Sequence, residues 1–144
     1  MAEITWRKVC CPVDFSRESH AALEVAVDLC RRLDAELTVL HVANPGEGDR
    51  SGELDAWMEE AAHSGIRALA ASARGDPKVA IAHWTQRHGF DAIVMGTHGW
   101  TGRARALVGS VAESTVRHAI CPVMVIHERW ARAHAHEGAG ATAH

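Results

Sequence analysis

Cysteine is sparse in this sequence of 144 residues, and its spacing excludes a disulfide scaffold. The four cysteines are Cys10, Cys11, Cys30 and Cys121, and none belongs to a CxxC pair. A disulfide-stabilised domain would need more of them, closely spaced. Because Cys10 and Cys11 lie in an apolar run, a role as small hydrophobic residues of the core is favoured over the alternative of a thiol switch.

The sequence also lacks an excess of positive charge and a long apolar run. It carries 15 Lys and Arg residues against 18 Asp and Glu residues, for a formal net charge of −3. Nucleic-acid binding usually requires a basic face, so we expect no nucleic-acid partner. No apolar run approaches the roughly 20 residues that span a bilayer, and the N-terminus lacks the pattern of a signal peptide. We therefore expect a cytoplasmic protein with no membrane partner.

Histidine is the one residue type in excess, with 11 copies, and it raises the question of a metal site. Most of the histidines are scattered singly, without the i, i+4 or Cys/His spacing of a zinc site. His134, His136 and His144 share a C-terminal tail, which would lose conformational entropy on closing around an ion. We predict no metal ligands.

Short apolar runs alternate with segments of helical periodicity along the chain. Strands are expected over residues 9–13, 37–42, 66–73, 91–95 and 122–126, and helices over residues 17–33, 53–63 and 77–88 and from Ser110 onward. Residues 66–73 are interpreted as an edge strand, although their alanine content also suits a helix. This alternation predicts an α/β fold, with an open, five-stranded, mostly parallel sheet and helices on both faces. We expect one domain over residues 1–128 and a flexible tail over 129–144, either a frayed helix or a disordered segment.

In such a sheet, ligands bind beyond the carboxyl ends of the strands. The loop after the predicted fourth strand contains Gly96, Gly99 and Gly109, followed by Ser110 at the start of a helix. Gly96 would let the backbone turn and a ligand approach closely, and the free N–H groups of the helix start favour a phosphate. The alternative is a plain connection, in which Ser110 and Glu113 form a capping box. Spacing alone leaves the two about equal.

Three phosphate or nucleic-acid motifs do not fit this loop. It has no Gly-Lys-Ser/Thr ending of a Walker A loop and no GxGxxG fingerprint. Gly96 and Gly99 match the GxxG of KH domains, but that loop joins two helices in an RNA-binding module. Here the loop follows a buried strand in an acidic chain, which argues against RNA.

The spacing Gly-x-x-Gly, nine residues and Gly-Ser resembles the ATP-binding signature of the universal stress protein family. Residues 11–16, 40–42, 91–98 and 117–123 agree with family blocks in order and spacing. The resemblance extends over about residues 8–127 and implies an adenine nucleotide alpha-hydrolase-like, Rossmann-like fold.

The resemblance also implies a role for each matching residue. Asp14 would meet the nucleoside, the backbone of Val42 would recognise adenine, and Gly109, Ser110 and Val111 would hold the phosphates. The full set of expected nucleotide-binding residues is Pro12, Val13, Asp14, Val42, Met95, Gly96, Thr97, His98, Gly99, Arg103, Gly109, Ser110 and Val111. Arg103 departs from the family pattern, in which an apolar residue is usual, and is included because its side chain could reach a phosphate.

The function implied by the resemblance is that of an ATP-binding stress-response or signalling homodimer, paired through residues 122–126. ATP is the expected ligand, with ADP and AMP as alternatives and Mg²⁺ accompanying the phosphates. A slow ATPase and a nucleotide-free dimeric interaction module remain alternatives. His98 is the nearest candidate for a general base, and no catalytic residue is predicted.

Overall fold

The computed structural model describes residues 3–97 and 108–134. Strands and helices alternate along the chain in the following order: β1 (Lys8–Pro12), α1 (Arg17–Leu33), β2 (Glu36–Ala43), α2 (Ser51–Ala62), β3 (Ala68–Arg74), α3 (Pro77–Arg87), β4 (Ala92–Gly96), α4 (Ser110–His118) and β5 (Val123–Ile126). Residues 128–134 form a short last helix, α5.

The strands form one sheet in the order β3-β2-β1-β4-β5, and every pairing is parallel. This confirms the predicted fold class. It also confirms the edge strand predicted over residues 66–73, since β3 lies at one margin of the sheet. β1 lies at the centre, which is why its residues Val9, Cys10 and Cys11 are 0% exposed. A continuous apolar run is the pattern expected of a strand covered on both faces.

Side chains alternate along the strands and supply two cores, one on each face of the sheet. Val9 and Cys11 of β1 belong to a core shared with α1, α2 and α5. Cys10 belongs to the core on the other face, with Ile81 of α3 and Ala112 of α4. Cys10 and Cys11 are therefore core residues, as predicted, and burial raises the pKa of both thiols. Both thiols stay protonated and unreactive at neutral pH.

Helix starts follow local capping chemistry. Ser16 caps α1 by accepting a 3.2 Å hydrogen bond from the N–H of Ser19. Asp76 caps α3 by accepting a 3.0 Å bond from the N–H of Lys78, with Pro77 in the first helical position as predicted. α2 begins at Ser51, two residues before the predicted start.

The C-terminal segment is helical as far as the structure describes it. Ala131 of α5 is 8% exposed and belongs to the core of the α1 face. Residues 135–144 lie outside the described residues. Among the described residues, no helix combines the length and apolar character needed to cross a membrane.

Candidate functional site

The order of the strands creates a cleft at the carboxyl edge of the sheet. From β1 the chain proceeds outward through β2 to β3, and it then returns to the other side of β1 to form β4 and β5. The loops that follow β1 and β4 therefore leave the sheet in different directions. The space between such loops is where doubly wound sheets bind their ligands.

One cleft at this edge has an open volume of about 650 Å³, counting its solvent-facing part. All expected binding residues within the described part of the chain line it, namely Pro12, Val13, Asp14, Val42, Met95, Gly96, Thr97, Gly109, Ser110 and Val111. The remaining three, His98, Gly99 and Arg103, lie outside the described residues. The loops after β1, β2 and β4 thus contribute to a single cleft.

The cleft also contains residues that the sequence analysis missed, namely Ser16, Glu18, Ser19, Pro77, Ile81 and Ala112. Ser16 and Ala112 adjoin predicted residues, so a wider window around the motifs would have included them. Pro77 and Ile81 come from α3, which follows the edge strand β3 rather than a strand at the switch point. The packing of α3 against α4 and across β2 brings them to the cleft.

The first turn of α4 presents unpaired backbone donors to the cleft. The first hydrogen bond of the helix joins the N–H of Glu113 to the carbonyl oxygen of Gly109 at 2.9 Å. The N–H groups of Ser110, Val111 and Ala112 have no hydrogen-bond partner in the described part of the chain. Three free donors and the positive end of the helix dipole form a site suited to an anion.

The capping box considered for this helix is wrong. Gly109 is the N-cap, and no side chain caps the helix within the described residues. Ser110 is the first helical residue, and the Glu113 carboxylate accepts a 2.9 Å bond from Arg117 instead of reaching back. Within the described residues, neither side chain occupies the backbone donors of the first turn.

Gly96 also has a packing role that the sequence did not predict. A Cβ atom at this position would lie 2.7 Å from the backbone C and O atoms of Glu18. The missing side chain therefore lets β4 approach the backbone of α1, and the space is not reserved for a ligand. Gly96 still lines the cleft.

Thr97 closes the base of the loop that leads to α4. This residue is 3% exposed, and its N–H donates to the carbonyl oxygen of Ile126 at 3.2 Å. Its own carbonyl oxygen accepts a 2.6 Å bond from the N–H of Gly109. The end of β4 is thereby joined directly to the start of α4.

Asp14 keeps one carboxylate oxygen free on the other side of the cleft. Its Oδ1 accepts hydrogen bonds from the N–H and the Oγ of Ser16, at 3.0 and 2.5 Å. Its Oδ2 has no hydrogen-bond partner among the residues that the structure describes. Phe15, which follows, has a φ of 67°. This left-handed conformation turns the chain sharply between Asp14 and the N-cap of α1.

Between these polar ends, the cleft wall is apolar. Val42 at the end of β2, Met95 of β4 and Ile81 of α3 are each 5% exposed or less. Pro77 extends this wall at the start of α3. The cleft therefore combines an anion site, an acceptor for a hydroxyl group and an apolar wall suited to a flat ring.

Comparison with known proteins agrees with this geometry. A family model described as the universal stress protein family matches residues 5–127. A universal stress protein of Methanocaldococcus jannaschii is 30% identical over 142 residues, covering 86% of this chain and 84% of that protein. The solved structure of the universal stress protein UspA from Lactobacillus plantarum is 28% identical, with a TM-score of 0.73, and covers 86% of this chain and 99% of that chain.

A third similar protein was solved with a nucleotide. This is a universal stress protein family protein from Arabidopsis thaliana with AMP bound, and its identity of 24% shows a shared fold. Its TM-score is 0.67, and the match covers 84% of this chain and 91% of that chain. On the family model and the relative at 30% identity, the chain belongs to the universal stress protein family.

Proposed function

We propose that the protein binds ATP in this cleft and acts as a nucleotide-dependent stress-response homodimer. The observation that carries the proposal is the set of three N–H groups at the start of α4 that have no partner among the described residues. They share a cleft with Asp14, whose Oδ2 likewise has no partner in the described part of the chain. A nucleotide offers an anion and a hydroxyl-bearing sugar, which are the partners that these groups lack.

The phosphates would bind at the first turn of α4. Backbone donors and the helix dipole favour negative charge there, and the Ser110 hydroxyl adds a further donor. Mg²⁺ would accompany the phosphates and neutralise part of their charge. Gly99, His98 and Arg103 stay predicted members of this end of the site.

The nucleoside would lie toward Asp14 and the apolar wall. A carboxylate accepts hydrogen bonds from ribose hydroxyls and repels phosphates, so Asp14 is assigned to the sugar. Val42 and Ile81 would cover the adenine ring, because both are buried and line the cleft. The AMP bound to the Arabidopsis relative supports an adenine nucleotide as the ligand.

The dimer would form along β5. This strand consists of uncharged residues and pairs on one side with β4. Met124 is 37% exposed, and the neighbouring Ile120 and Val116 are 76% and 52% exposed. An open apolar edge of this kind favours pairing with another strand. A second copy of the chain, aligned along β5, would cover this apolar surface.

We assign no catalytic residue to the cleft. The titratable side chains that line its described part are Asp14 and Glu18, and Asp14 already bonds to Ser16 through one oxygen. The proposal is therefore one of nucleotide binding without catalysis. Steady phosphate release by the wild type, above that of a Gly109→Trp variant, would instead support the alternative of a slow ATPase.

A thermal-shift and calorimetric panel of ATP, ADP and AMP, each with and without Mg²⁺, tests the proposal. ATP with Mg²⁺ should raise the Tm most, because it offers the most anionic groups to α4. A larger shift with AMP or ADP would reassign the ligand within the same site. No shift and no heat with any adenine nucleotide would favour a nucleotide-free interaction module.

A further inference from the structure

His41 is a buried polar residue of β2 that lies behind the proposed nucleoside wall. It is 4% exposed and precedes Val42, which lines the cleft. Its ring Nδ1 lies 2.9 Å from the carbonyl oxygen of Val13, and its Nε2 lies 2.5 Å from Oε2 of Glu47. The ring therefore joins the end of β1 to the loop after β2.

Both partners of the ring accept hydrogen bonds. The Val13 carbonyl oxygen can only accept, and an ionised Glu47 carboxylate can only accept as well. A neutral imidazole carries one N–H and can satisfy only one of them, whereas an imidazolium carries two. With Glu47 ionised, both contacts are satisfied at once only when the ring donates through both of its nitrogens.

The charges around the ring favour this state. Glu47 is partly shielded, with 15% of its side chain exposed, and its hydrogen bond with His41 is the main cause of its lowered pKa. Glu53, whose pKa is lowered chiefly by its hydrogen bond with Arg50, also feels the charge of His41. Arg50 is the opposing cation, and Glu47 and Asp14 contribute to its raised pKa. Glu47 and Glu53 thus both lie close enough to the ring to interact with its charge.

The contacts hold the backbone that flanks the cleft. Val13 donates its N–H to the carbonyl oxygen of Leu40 at 2.8 Å and offers its own carbonyl oxygen to His41. Its two neighbours on the chain, Pro12 and Asp14, line the cleft with it. Glu47 in turn anchors the loop between β2 and α2, through its own N–H to Asn44 at 3.0 Å.

We propose that His41 and Glu47 form an imidazolium–carboxylate clamp that positions Val13, Asp14 and Val42 for the nucleoside. The inference rests on the proposed function, because it concerns the same cleft. Neither clamp residue lines the described cleft. Both are therefore positioning residues, which act on nucleotide affinity through the backbone that they hold.

Two substitutions of Glu47 separate positioning from simple folding. Glu47→Ala removes the anchor, and ATP affinity should fall by about five- to tenfold. In Glu47→Gln, the ATP affinity should stay within about twofold of the wild type. The glutamine amide can donate to Nε2 of a neutral His41 ring and so keep the contact. Glu59→Ala, an exposed change on α2, is the matched control and should leave the affinity unchanged.

A spectroscopic measurement tests the charge directly. In ¹⁵N NMR spectra at neutral pH, His41 of the wild type should show two protonated ring nitrogens, and His41 of Glu47→Gln should show one. His63 is an internal reference, because its one ring contact in the described part of the chain, to the Glu59 carbonyl oxygen at 2.7 Å, needs only a single proton.

The outcomes distinguish this inference from the function on which it rests. A single ring proton on wild-type His41, or equal ATP affinity in the wild type and a folded Glu47→Ala, would overturn the clamp and leave ATP binding intact. If Glu47→Ala fails to fold, a weak-binding but folded Glu47→Gln would also overturn it. If the wild type binds no adenine nucleotide, the proposed function fails together with the positioning role. In that case, two protonated ring nitrogens on His41 would support only the ion pair between His41 and Glu47.

Discussion

The N–H of Gly109 donates a 2.6 Å hydrogen bond to the carbonyl oxygen of Thr97. This bond joins the two ends of the loop between β4 and α4, so the first turn of α4 is held at the carboxyl end of a buried strand. Its three N–H groups, which have no partner within residues 3–97 and 108–134, therefore have a defined position in the cleft. A donor set that is already in place loses little entropy when an anion binds.

Ser110→Pro should weaken ATP binding by removing one of these donors. Proline is well tolerated at the first helical position, and Gly109 has the extended ψ of 164° that a residue before proline prefers. We expect at least tenfold weaker ATP binding by calorimetry, because the lost N–H alone contributes about 1.4 kcal/mol as a charge-assisted bond and the hydroxyl group is lost as well. The Tm of the free protein should be unchanged.

Ser110→Ala is the matched control for that substitution, because it keeps the N–H and removes only the hydroxyl group. Its affinity should lie between those of the wild type and Ser110→Pro. If the two variants bind ATP equally well, the backbone N–H of residue 110 is not a phosphate donor.

Gly96→Ala should destabilise the fold. The added Cβ would lie 2.7 Å from the backbone of Glu18, and the strand and the helix must separate to admit it. We expect a loss of about 1–3 kcal/mol in the free energy of unfolding, measured by urea denaturation. Gly48→Ala adds a Cβ with nothing within 4 Å and serves as the control. Equal midpoints for the two variants would contradict the close approach of β4 and α1.

Asp14→Asn should reduce the protein's preference for ribose over deoxyribose. If the free Oδ2 accepts a ribose hydroxyl, removing its negative charge weakens that bond and leaves the phosphate contacts intact. Calorimetry on ATP and its 2′- and 3′-deoxy forms should show a smaller difference in Asp14→Asn than in the wild type. An unchanged difference for both deoxy forms would assign the sugar to another residue.

Met124→Lys should convert the proposed dimer to a monomer. The lysine places a charge on the open apolar edge of β5, where Met124 is 37% exposed. Light scattering coupled to gel filtration measures the mass directly. Leu69→Lys makes the same change on the opposite edge strand, β3, where Leu69 is 51% exposed. Dissociation by Leu69→Lys but not by Met124→Lys would move the interface to β3.

The Glu47 carboxylate should make stability depend on acid pH. Its pKa lies below the ordinary value of 4.5, chiefly because His41 hydrogen-bonds to the ionised form. The ionised carboxylate therefore stabilises the folded state fully at pH values above the ordinary pKa. This stabilisation is lost as the pH falls through the lower pKa that Glu47 has in the folded protein. Urea midpoints of the wild type should fall more steeply below about pH 5 than those of Glu47→Gln. If the urea midpoints of the two proteins fall equally with pH, the ionised Glu47 carboxylate does not stabilise the folded state.

The sequence by itself determined the order and type of the strands and helices. Buried strands such as Val9–Cys11 appear as continuous apolar runs, and helix starts such as Asp76–Pro77 depend on neighbouring residues. Both are local properties, which a pattern along the chain can carry. The glycine spacing and its family blocks likewise identified the residues of three separate loops that line one cleft.

Contacts between residues far apart in the chain were decided only by the tertiary structure. The close approach of Gly96 to Glu18, the entry of Ile81 into the cleft and the bond of His41 to the Val13 carbonyl oxygen depend on strand order and helix packing. The unpaired donors of α4 belong here too, because Ser110 and Glu113 matched a capping box and only the geometry shows Gly109 as the N-cap. The spacing of residues along the chain does not encode the distances between separate helices and strands. These distances arise only when the side chains of two such elements pack against each other.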